Sequence, residues 1–266
     1  MLPIHKLSPR FIVLLLYHLV VGIVVATNLR VDAWLMGWDG LYPELNIPLN
    51  LLRGLTAGWQ EYYGAGLVGG HGFAATLPHT MLIGILSVII PQHLLRSIFI
   101  FLCYYLGGLG MLFVSRIFLT RVFHEHHPKE YVVWAIALIS SLYYLFNLGT
   151  IQIFYVPLEA FTVHFAALPW LTYGLFLLLE HINKKRVIFF FITLLLSSIQ
   201  GFIPAIFAAY AVSLLIITST YIVWQRFSKR ALRTIAIIWT CVVTANFYWL
   251  APVGYFSLTQ AKDYIN

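Results

Sequence analysis

Long apolar runs dominate this chain. A transmembrane helix needs roughly 20 mainly apolar residues. Runs near that length fall at about 11–26, 93–118, 131–148, 163–179, 187–202, 204–224 and 232–255. The pattern predicts an all-α, polytopic membrane protein with about seven transmembrane helices. A shorter run at 78–90, closed by Pro91-Gln92, is short for a span and long for a loop. It is expected to be an interfacial or partly inserted helix in the first outside loop. Residues 47–55 read as a short amphipathic helix, and the stretch 64–72, with five glycines, as a loop. No internal repeat or linker interrupts the pattern. Residues 1–266 are therefore expected to form a single transmembrane domain, possibly the N-terminal part of a longer chain.

Composition supports a lipid solvent. Apolar residues make up 61% of the chain and charged residues 9%, against roughly 25% charged in a soluble domain. Mean hydropathy is +0.87. Too little polar surface exists to cover a soluble fold, which excludes a soluble enzyme, a disordered chain and a nucleic-acid module. The net charge of +7 fits the cytoplasmic excess of Lys and Arg in membrane proteins. With Lys6 and Arg10 holding the N-terminus inside, alternation places 12 of the 16 Lys/Arg inside and six of the nine acids outside. A full span at 78–90 would flip every later loop and collapse that bias. The expected topology is multi-pass, with the N-terminus cytoplasmic and the C-terminus outside. Cys103 and Cys241 fall within apolar runs and cannot form a disulfide framework.

The candidate chemistry gathers at the outer edge. The string Gly37-Trp38-Asp39-Gly40-Leu41-Tyr42-Pro43-Glu44 lies in the first outside loop. Asp39 has three readings: a general base, a ligand of a hard cation, or a turn aspartate, since Asp-Gly favours turns. Glu159, in a second outside loop at 149–162, is either a partner carboxylate or an interfacial Glu facing water. Arg96 and Arg53 can bind a phosphate, snorkel to headgroups or line a polar helix face. His18 and His164 sit in apolar runs and are expected to make interhelical hydrogen bonds, with His164 close to Glu159 in sequence. His124-Glu125-His126-His127 reads as a solvated loop. The sequence contains no P-loop, GxSxG, HExxH or CxxC motif.

The order of these parts resembles the N-terminal module of the GT-C superfamily of membrane glycosyltransferases. Residues Gly37–Pro43 are similar to a GD-x-x-[FY]-P pattern of the arabinofuranosyltransferase-like and oligosaccharyltransferase-like members, with Trp38 interposed. Gly58-Trp59 and the glycine-rich stretch also look like that group. The resemblance implies transfer of a sugar from a polyprenyl-phosphate donor to an acceptor on the outer face. It implies Asp39 as base or acceptor-positioning carboxylate, Glu159 as second carboxylate or metal ligand, and Glu44 as the nearest partner of Asp39. Arg96, Arg53, Trp59 and His164 are the expected substrate contacts. Neither loop carries a paired DD, DE or DxD, so a divalent cation stays open. The alternative is a non-catalytic scaffold or a lipid-binding or transport subunit.

Overall fold

A computed structural model describes residues 8–36, 41–56, 71–123 and 128–259. They form helices α1 (Pro9–Asn28), α2 (Ile47–Leu55), α3 (His71–Leu86), α4 (Gln92–Val122), α5 (Glu130–Phe146), α6 (Leu148–Tyr155), α7 (Glu159–Glu180), α8 (Lys184–Leu196), α9 (Pro204–Trp224) and α10 (Lys229–Thr259). Two 3₁₀ turns, Pro43–Leu45 and Ser198–Phe202, complete the order. No strand occurs among the described residues. Five helices, α1, α4, α7, α9 and α10, are long and apolar enough to cross a membrane. The pair α5–α6, bent by 47°, passes the same test as one broken span. These helices are compatible with an integral, multi-pass membrane protein.

Three elements differ from the sequence pattern. Residues 149–162 are not a loop, because α6 fills 148–155 and α7 begins at Glu159. The break between α5 and α6 falls at Asn147, which caps α6 by accepting from Thr150 N at 3.1 Å. The Asn147 amide donates to the Tyr143 and Tyr144 carbonyls at 3.1 and 2.9 Å. The Tyr144 carbonyl, freed by the bend, thus keeps a partner without water. Helix α3 starts at His71 and carries Pro78 inside it, so the glycine-rich stretch yields to helix at its last two residues. Helix α8 stops after 13 residues, about 20 Å at 1.5 Å per residue, and the chain tightens into the 3₁₀ turn. A Cβ at Gly201 would come within 2.7 Å of the Trp249 ring, so the turn packs where a larger residue has no room.

Helices α4 and α7 form the axis of the bundle. Arg96 pairs with Glu159 near their first residues, and Arg121 pairs with Glu180 at 3.3 Å near their last. The two helices therefore run parallel, and α5–α6 is the return between them. The 21 steps from Glu159 to Glu180 span about 32 Å, close to the hydrocarbon thickness of a bilayer. Ion pairs thus mark both ends of an apolar wall.

Aromatic groups lock this wall by donating to backbone carbonyls. Trp170 Nε1 donates to Leu106 O at 2.9 Å, Tyr144 to Phe165 O at 2.8 Å, and Tyr17 to Tyr105 O. His18 bridges α1 to α4, with its Nε2 3.0 Å from the Tyr105 hydroxyl, an interhelical bond of the expected kind. Gly108 lets α4 approach α1 and α5. A Cβ there would lie 2.7 Å from the Tyr17 hydroxyl and 2.8 Å from Leu145. Gly108→Val is expected to destabilise the bundle by about 1–3 kcal/mol through overpacking, read as a lowered thermal midpoint of the purified protein.

Candidate functional site

The site is assembled by three starts of elements. Tyr42 precedes Pro43 and holds a left-handed φ of 43°, a conformation that costs a bulky residue roughly 1–3 kcal/mol. The turn this creates buries Pro43 and Glu44 and sets the Tyr42 ring 4.4 Å from the Arg96 guanidinium carbon. Asn46 then caps α2, accepting from Leu49 N at 3.1 Å. In the first turns of α4, Gln92 and Arg96 share a face, as residues four apart do. Gln92 donates to the Glu44 carbonyl at 2.7 Å. Glu159 opens α7, where the helix dipole favours an acid.

Arg96 and Glu159 are 3% and 2% exposed and form a buried ion pair. The second guanidinium nitrogen of Arg96 donates to Pro157 O at 3.0 Å. The other carboxylate oxygen of Glu159 accepts from the backbone N–H of Leu41 at 3.1 Å. Arg96 therefore does not snorkel, and Glu159 does not face water. Together they hold the chain two residues after Asp39 against α4 and α7. Asp39 and Trp59 lie outside the described residues, as does the 124–127 histidine stretch.

Glu44 is 4% exposed, and its Oε1 has no hydrogen-bond partner among the described residues. Burial holds its carboxyl above the usual range, against the pull of its own backbone N–H and of Arg96, and Glu159 adds to the rise. The folded state thus holds the Glu44 proton more tightly than the unfolded chain. Stability is full below the ordinary value of 4.5 and falls as pH rises through it toward the folded value. Glu44→Gln is expected to raise the thermal midpoint at about pH 7.5 and to lose that advantage near about pH 4, because only the ionised form is penalised. Thermal scans across pH check this.

Two expected contacts lie elsewhere. His164 Nδ1 is 2.9 Å from Gln200 Oε1 in the 3₁₀ turn, which is the interhelical role. Arg53 stands on α2 with its guanidinium carbon 5.9 Å from the Phe73 ring centroid, at the α2–α3 contact. One residue escaped the sequence reading. His79 on α3 is buried, and neither ring nitrogen has a partner among the described residues. Its ring lies edge-on to Phe99 at 4.8 Å. Burial and the charge of Arg96 push its pKa down. A lone histidine in an apolar helical run was the available signal, the same one that marked His18 and His164.

Beside this cluster, a cavity of about 480 Å³ opens between α1, α4 and α5–α6. Its lining is mainly apolar, including Trp34, Ile100, Tyr104 and Phe154, with Asn28, Arg30 and Ser97 as polar members. Its volume suits a small-molecule or acyl-chain site. Among the described residues no three His, Cys, Asp or Glu side chains gather to hold a metal ion. Comparison of the chain with protein-family models, curated proteins and solved structures finds no match.

Proposed function

We propose that the chain is a GT-C type membrane glycosyltransferase, moving a sugar from a polyprenyl-phosphate donor to an acceptor at the outer face. The observation that supports this best is the buried Arg96–Glu159 pair whose free oxygen holds Leu41 N–H. Asp39 is two residues from Leu41 along the chain, a covalent reach of about 7 Å. A base must stand in a defined place relative to the acceptor hydroxyl, and the described chain is pinned two residues after Asp39. Asp39 is the proposed base. Glu159 and Arg96 are positioning residues, which replaces a phosphate-binding role for Arg96 at rest. Glu44 is the second carboxyl of the site, and burial raises its pKa. The apolar cavity next to α4 and α6 suits a lipid tail.

In this reading the N-terminus is cytoplasmic and the C-terminus outside. Helix α8 with its 3₁₀ extension completes seven crossings, and α3 is the partly inserted helix. The experiment is turnover of a panel of short-chain polyprenyl-phosphate pentoses and hexoses by the purified chain, read as release of polyprenyl phosphate. Release that depends on Asp39 supports the transferase. Retention of the lipid without release from any donor, by folded protein, favours the lipid-binding subunit.

A further inference from the structure

The end of the bundle opposite Glu159 is strongly cationic and concave. A cavity of about 370 Å³ is lined by His181, Ile182, Lys229, Arg230 and Arg233. One wall is the α7–α8 connection and the other is the first two turns of α10. Arg230 joins the walls by donating to the Glu180 carbonyl at 2.7 Å. Glu180 is already taken by Arg121 and Arg186, each at 3.3 Å. Among the described residues, Lys229 and Arg233 have no ion pair.

Helix polarity worsens this imbalance. Both α8 and α10 begin here, and neither has an acid in its first turn. Their positive dipole ends and their Lys and Arg side chains repel one another. The bias of cations toward one side of a membrane accounts for charge on these loops. It does not require three cations to line one cavity. An apolar edge adjoins it in the chain. Trp224 and Phe227 are 78% and 63% exposed, and Phe227 keeps a left-handed φ of 55° where glycine would be unstrained. Trp224, an amphipathic aromatic at the end of a span, belongs at the headgroup level, and the apolar Phe227 ring belongs just below it.

We infer that this cavity binds the headgroup phosphate of an anionic phospholipid, with Lys229, Arg230 and Arg233 as its cationic contacts. Trp224 and Phe227 lie at the glycerol and upper acyl level of the same lipid. The inference is independent of any transferase activity.

Native mass spectrometry of the full chain released from detergent, titrated with dioleoyl phosphatidylglycerol or dioleoyl phosphatidylcholine, tests it. One phosphatidylglycerol per chain is expected to bind at least 10-fold more tightly than phosphatidylcholine. Each cation near a membrane surface is worth about fivefold, so Lys229→Gln with Arg233→Gln is expected to weaken binding roughly 20- to 30-fold. Lys184→Gln with Arg226→Gln removes the same charge outside the cavity and is expected to weaken it less than about fivefold. All four positions are exposed, and matching thermal midpoints without lipid establish that both variants fold. Equal losses in the two variants, or equal binding of the two lipids, overturns the site as a matter of bulk charge. Displacement of the lipid by millimolar inorganic phosphate overturns the lipid as its occupant.

Discussion

Replacing Asp39 with Asn is expected to lower polyprenyl-phosphate release by about 100-fold or more, the scale of general-base catalysis. The substitution keeps the shape of the side chain and its capacity to form turns, and removes only the base. Donor affinity is expected to change little, so the loss falls on kcat rather than KM. The comparison is made at equal amounts of folded protein, with the donor that the wild-type chain turns over fastest. A variant retaining near-normal kcat would remove Asp39 from the mechanism.

The second large effect concerns stability. Arg96→Met leaves Glu159 as a buried, unpaired charge, and such a break costs about 3–5 kcal/mol. Removing the guanidinium also removes the donor to Pro157 O and the cation over the Tyr42 ring. Arg96→Met with Glu159→Leu removes both charges, and apolar replacements of a buried pair are often neutral or stabilising. The double variant is therefore expected to recover most of the stability lost by the single one. A single variant that unfolds at the wild-type midpoint would mean that water reaches the pair.

The helical frame was readable where local chemistry decides it. Asn46 and Pro48 give α2 its start, and the helix runs from Ile47 to Leu55 as the pattern predicts. Pro204 and the polar turn after Trp224 likewise bound α9 at the expected residues. Boundaries slipped where a side-chain cap or a tertiary contact decides. Asn147 bends one apolar run into α5 and α6, and Gly201 tightens the end of another against Trp249. The site was legible as a set of residue types but not as a geometry. Glu159 meets Arg96 across 63 positions and Leu41 across 118, and no periodicity encodes such pairings. Burial of Glu44 and His79 was equally invisible, because it depends on how the Pro43–Leu45 turn and α3 settle on α4.

The Glu159–Arg96 pair is proposed to position the Asp39 loop for transfer. The most direct test is the kcat for polyprenyl-phosphate release by the folded Arg96→Met, Glu159→Leu double variant. A loss of at least about 10-fold is expected, with stability near wild type, since Leu41 N–H has lost its acceptor and misplacement of a catalytic group by about 1 Å costs about 100-fold. Wild-type kcat in that variant would contradict it.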